Sequence, residues 1–133
     1  MVAVAIIGVV AIALYTGLAY GFSSVQLSRE NLRATQILIE KAETIRLYTW
    51  TQITTSGYIP KDFTATYDPT GTGSGQGVLY EGKVEVKDSN LSANYDDDVK
   101  VISVTLEWKN GKKKRERSLT TLVGRYGLQN YVY

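Results

Sequence analysis

The sequence predicts an α+β chain. A long N-terminal α-helix, over about residues 2–52, is expected to pack through its C-terminal half on a small antiparallel β-sheet. Three observations predict it. Residues Met1 to Ser28 carry no charged side chain. Residues 29–53 then mix apolar and charged positions at helical spacing, with no glycine or proline. Beyond them, strand-like runs are bounded by Gly, Asn and Pro turn signals. The 133 residues therefore divide into four parts: an apolar helix half (1–28), an amphipathic helix half (29–53), a Gly- and Ser-rich connector (54–77) and a β-sheet head (78–133).

The opening run, Met1 to Phe22, is apolar almost all the way round. At about 1.5 Å per residue it makes a helix of roughly 33 Å, which matches a hydrocarbon core of about 30 Å. A secretory signal peptide would place basic residues ahead of a shorter apolar stretch, and none precedes this run. The sequence starts inside its apolar stretch, as a processed or shortened chain does. Met1, Val4, Ile7, Gly8, Ala11, Leu14, Gly17, Leu18 and Gly21 recur at intervals of mostly three or four residues and are candidates for a membrane or assembly surface. Small residues let helix backbones approach closely where no water drives association. Each glycine also weakens a helix by roughly 1 kcal/mol relative to alanine, so local melting is expected between Gly17 and Gly21.

Composition narrows the function classes. Cysteine and histidine are absent, so no disulfide framework, thiolate metal site or imidazole base exists. The net charge of +2 is too small to imply a specific nucleic-acid partner. No constellation of side chains supports an enzyme.

The amphipathic half carries Val25, Leu32, Ile39 and Arg46 seven apart, with Leu38 and Ile45 likewise and Ala42 between. This spacing predicts that Val25, Leu32, Ile39, Ala42 and Ile45 face the head. Arg29, Glu30, Arg33, Glu40, Lys41 and Glu43 fill much of the remainder, and Glu30/Arg33 and Glu43/Arg46 are i,i+3 pairs. Ile53-Thr54-Thr55, Ser56-Gly57 and Pro60 mark the helix end.

At this point the sequence resembles a family. Met1-Val-Ala-Val-Ala-Ile-Ile-Gly8 is similar to the stretch that follows the cleaved leader in type IV pilins and type II secretion pseudopilins. Glu30-Asn-Leu-Arg-Ala-Thr-Gln-Ile-Leu-Ile-Glu40-Lys-Ala-Glu-Thr-Ile-Arg46 resembles the soluble part of a pseudopilin helix. The likeness covers roughly the first 50 residues. In that family an aromatic-Thr-Leu-Ile/Val-Glu start, N-methylated after processing, precedes this stretch, and it does not occur here. Where many pilins have a proline after the first apolar turns, this chain has Thr16 beside Gly17.

The resemblance implies a structural subunit of a type IV pilus or pseudopilus-like filament. Its helix would rest in the inner membrane, then polymerise with copies of itself into a helical homopolymer. The implied partners are other copies, the membrane before assembly and the inner-membrane pilus or secretion assembly machinery. The implied location is the inner membrane first, and an extracellular or periplasmic filament afterwards. The alternative is a non-polymerising, single-pass membrane-anchored β-domain that binds a partner.

In the connector, Tyr67 to Gly77 is dense in glycine and reads as a loop. Gly71, Gly73 and Gly75 lack the Lys-Ser/Thr of a phosphate-binding loop. In the head, 78–87 reads as a strand alternating at Val84 and Val86. Residues 99–109 read as another, with Ile102, Val104, Leu106 and Trp108 on one face. Asn110-Gly111 predicts a type I′ hairpin returning through 112–123. That turn would set Glu107 opposite Lys114 and bring Lys113, Arg115 and Arg117 over the apolar face. The aromatic segment 126–133 is expected to pack on the sheet or on a neighbouring subunit.

Three surface features were weighed as sites. Asp96, Asp97 and Asp98 have the oxygen chemistry of a Ca²⁺ site, and some pseudopilins bind calcium in a C-terminal loop, but the spacing also fits a solvated turn. No other cofactor is expected. Lys112, Lys113, Lys114 and Arg115 form a basic tip that suits either an anionic surface or a lysine-protected strand edge. Asn90-Leu91-Ser92 is a glycosylation sequon.

Overall fold

The computed structural model describes residues 1–67 and 78–126. It forms two compact units, Met1–Leu32 and Arg33–Tyr133. The chain is α+β: a long N-terminal helix, α1 (Val2–Arg46), a short helix, α2 (Trp50–Thr54), and four strands. The strands are β1 (Asp62–Thr66), β2 (Leu79–Asp88), β3 (Val99–Asn110) and β4 (Lys113–Gly124). They form one antiparallel sheet in sequential order. Each strand pairs with its neighbour in sequence, so only short connections are needed.

The expected single helix to about residue 52 is broken. α1 stops at Arg46, where Leu47 N and Tyr48 N donate to Thr44 O and Ile45 O at 3.3 and 3.1 Å, the tightened three-residue closure of a helix end. The chain restarts as a helix behind Thr49, whose hydroxyl accepts from Gln52 N while the Gln52 side chain accepts from Thr49 N. This reciprocal capping box satisfies donors that would otherwise be orphaned at the new N-terminus. Its Thr-x-x-Gln signature stands in the sequence at Thr49–Gln52.

In the second unit, the core joins α1 and α2 to one face of the sheet. Ala34, Ile37, Leu38, Ile45 and Ile53 pack with Tyr80, Val84, Ile102, Val104, Leu106 and Trp108. β3 supplies the densest row, with Ile102, Val104, Leu106 and Trp108 all buried at period two, as its alternation predicted. Val86, on the same face of β2, is exposed at the strand's far end.

Of the helix positions expected on the head, Ala42 and Ile45 are buried at 4% and 0% exposure. Val25, Leu32 and Ile39 are not: they are 49%, 62% and 51% exposed. The buried column instead follows the three- and four-residue steps Ala34, Ile37, Leu38, Ala42 and Ile45. Glu30, grouped above with the polar positions, is buried and accepts from Gln26 Nε2 at 3.3 Å. Arg46 pairs with Glu43 at 3.0 Å as expected, and Arg33 lies 3.8 Å from Glu40.

The connector is not all loop. Residues Asp62–Thr66 form β1, an edge strand paired with Leu79–Lys83 of β2, so the sheet begins before residue 78. Its Asp-Phe-Thr-Ala-Thr alternation is short and lies between the Gly57 and Pro60 turn signals and the glycine-rich stretch that follows, which hides it. The Gly71, Gly73 and Gly75 segment lies outside the described residues, as do residues 127–133 of the aromatic terminus. Tyr126 is exposed, beside the Arg125 guanidinium.

The β3–β4 turn lies one residue later than expected, which shifts the cross-strand register by two. Asn110 pairs with Lys113, so Gly111 and Lys112 are the central residues. Gly111 has φ +62°, while neither Asn110 nor Lys112 has positive φ. A type I′ turn needs positive φ at both central residues; glycine first and an ordinary residue second is the type II′ pattern. The shift leaves Glu107 opposite Glu116, Trp108 opposite Arg115 and Leu106 opposite Arg117. A two-residue shift preserves which face each side chain occupies, so the buried row is unchanged.

Candidate functional site

The first unit, Met1–Leu32, is a helical surface with few internal partners. The most apolar 18-residue window of α1 has a mean hydropathy of 2.5 and no buried share, and α1 is long and apolar enough to cross a membrane. The proposed assembly positions Met1, Val4, Ile7, Leu14 and Leu18 are all exposed. Contiguous apolar exposure on this scale marks a surface that meets lipid or protein.

The glycines of this surface face open space among the described residues. A Cβ built on Gly8, Gly17 or Gly21 finds no neighbour within 4 Å. Among the described residues, no contact explains their small size. Thr16 Oγ1 donates to Ile12 O at 2.8 Å, which satisfies its hydroxyl inside the helix.

The aspartate cluster is arranged as a turn. Asp96–Asp98 form a single 3₁₀ turn. Asp96 Oδ1 accepts from the Ser89 hydroxyl and from Leu91 N, and these two hydrogen bonds hold its carboxyl below the usual aspartate range. Asp98 pairs with Arg125 at 3.5 Å, and Asp97 is exposed. Successive residues of a 3₁₀ turn point about 120° apart. Among the described residues, no group of three acidic side chains is placed to hold a metal ion.

The basic tip is dispersed in the same way. Lys112 and Lys113 are exposed. Lys114 is bound to Glu107 at 2.9 Å, while Arg115 lies half-buried opposite Trp108. Further along β4, Arg117 Nη1 donates to Thr35 Oγ1 of α1 at 2.6 Å, a strand-to-helix tie within the second unit.

A feature missed by sequence reasoning lies at the α1–α2 corner. There a cleft of about 760 Å³ opens between the helix corner, the loop before β3 and the ends of β3 and β4. Its aromatic walls and arginines come from segments far apart in sequence, so no local pattern signals it.

No protein-family model, curated protein or solved structure matches this chain.

Proposed function

We propose that this chain is a structural subunit of a type IV pilus or pseudopilus-like filament, polymerising through its apolar N-terminal helix. One observation carries the reading. The charge-free surface of α1 includes three glycines beside which, among the described residues, an added Cβ would meet nothing beyond its own helix turn. A helix gives up roughly 1 kcal/mol for each such glycine, and close approach by a neighbouring helix offsets that cost. Lipid supplies the environment before assembly, and other copies supply it afterwards. The head is then carried on the outside, where its role is mechanical and interactional rather than catalytic. Before assembly the helix resides in the inner membrane; the filament is extracellular or periplasmic.

The test is direct. Material sheared from cells, or the purified chain concentrated out of detergent, is expected to contain filaments with a regular helical rise in electron micrographs. A chain that stays monomeric in detergent at every concentration, and yields no fibres from cells, would replace this reading with a single-pass anchored binding domain.

A further inference from the structure

The cleft at the α1–α2 corner has a composition of its own. Tyr48, Trp50 and Tyr95 line it, and Ile53 adds an apolar wall. Arg46 and Arg125 also line it, and none of the described lining residues is acidic. Its volume of about 760 Å³ falls within the range of small-molecule sites, roughly 300–1,000 Å³.

Both guanidiniums keep donors in reserve. Arg46 uses Nη1 toward Glu43 at 3.0 Å, and Arg125 uses Nη1 toward Asp98 at 3.5 Å. A guanidinium carries five N–H donors in a planar fork, so each arginine remains able to bind an oxyanion. Neither paired carboxylate lines the cleft.

The wall is also braced. The Thr49–Gln52 capping box fixes the corner between Tyr48 and Trp50. Gln52 Nε2 donates to Tyr58 Oη at 2.8 Å, and the Tyr58 ring meets Tyr48 edge-on at 5.6 Å. Side chains locked before binding lose less entropy when a ligand arrives.

From this charge and ring complementarity we infer that the cleft is a binding site for a small aromatic carboxylate, its ring against Tyr48 and Trp50 and its carboxylate on Arg46 and Arg125. Arginine forks match carboxylates in shape as well as charge, and aromatic walls favour a flat apolar body.

The experiment uses the full chain in detergent micelles, with protein-free micelles as the blank. The probes are 4-fluorophenylacetate and its uncharged isostere 4-fluorophenylacetamide, followed by ¹⁹F NMR. The carboxylate is expected to bind saturably and roughly tenfold more tightly than the amide. It should shift the ¹⁵N-amide resonances of Tyr48–Trp50 and Val123–Arg125 and spare those of the hairpin tip. Arg46→Gln and Arg125→Gln should each reduce the carboxylate preference and leave amide binding unchanged, whereas Trp50→Leu should weaken both probes. The amide-shift map on the unaltered chain decides the matter even where a variant does not fold. Equal binding of the two probes, no saturable binding, or shifts located elsewhere would overturn the inference. So would binding that appears only after deletion of residues 127–133, which would assign the cleft to the chain's own terminal segment.

Discussion

Phe63 lies over Gly82. The two are direct cross-strand partners in β1 and β2, and a Cβ built on Gly82 would fall 2.1 Å from Phe63 Cζ. The ring occupies the space a side chain at residue 82 would need, and Lys41 Nζ sits over it, 4.8 Å from its centroid. Aromatic cover of a strand glycine restores contact area that the glycine lacks. It also ties the short β1 edge to α1.

Gly82→Ala is therefore expected to displace the ring and destabilise the fold by about 1–3 kcal/mol, the range of overpacking substitutions. Chemical unfolding of the single and double variants checks this. In a Phe63→Ala background the cost of Gly82→Ala should fall to near zero. A cost unchanged by the loss of the ring would refute the contact.

Glu107 is bonded to Lys114 diagonally, at 2.9 Å, because glutamates stand directly opposite it on both sides: Glu81 on β2 and Glu116 on β4. The Lys114 hydrogen bond and charge hold the Glu107 carboxyl below its ordinary range and raise Lys114 above its own. A lowered carboxylate contributes stability above its unfolded pKa, about 4.3, and loses it as pH falls through the folded value. A raised ammonium contributes stability below about 10.4 and loses it as pH rises through the folded value. The stability difference between the native chain and Glu107→Gln should thus be flat from about pH 6 to 9 and shrink at both extremes. Thermal unfolding across pH measures it. Glu116→Thr should raise the midpoint, since like charges directly opposite oppose pairing.

At the hairpin tip, Gly111→Val is expected to cost about 1–2 kcal/mol, the penalty for a side chain in left-handed backbone. Gly111→Asn should cost less, because Asn tolerates that region. Equilibrium denaturation distinguishes them, and equal losses would rule out the positive-φ turn as the cause.

In the apolar helix, Gly8→Leu adds a side chain where the isolated chain leaves open space. The unfolding midpoint of the head should stay where it is, while filament yield falls sharply if neighbouring helices pack there. Ile12→Lys, near the middle of the Met1–Phe22 run, should also impair membrane insertion, since a charge at the bilayer centre costs roughly 2.5–3.5 kcal/mol on insertion scales. Membrane fractionation and counts of fibres in micrographs read the two effects separately.

Much of this architecture was written locally. An uncharged run of spanning length and a period-two row at Ile102, Val104, Leu106 and Trp108 are properties of consecutive residues, so local pattern suffices to read them. The faces of β3 and β4 are as expected although the turn lies one residue later, because a one-residue move of a two-residue turn shifts the register by two and strand faces repeat every second residue. The Thr49–Gln52 capping box is equally local, but the flanking residues also suit a continuous helix, so the break at Arg46 does not stand out in sequence. Packing decided the rest. Α1 carries one apolar column through Val25, Leu32 and Ile39 and another through Ala34, Leu38 and Ile45. Seven-residue spacing drifts only about 20° per repeat, so both columns look coherent in sequence. Which one meets the sheet depends on where Tyr80, Val84 and Trp108 lie once the strands have paired. The same holds for the corner cleft and for Phe63 over Gly82, whose partners are distant along the chain and meet only through strand register.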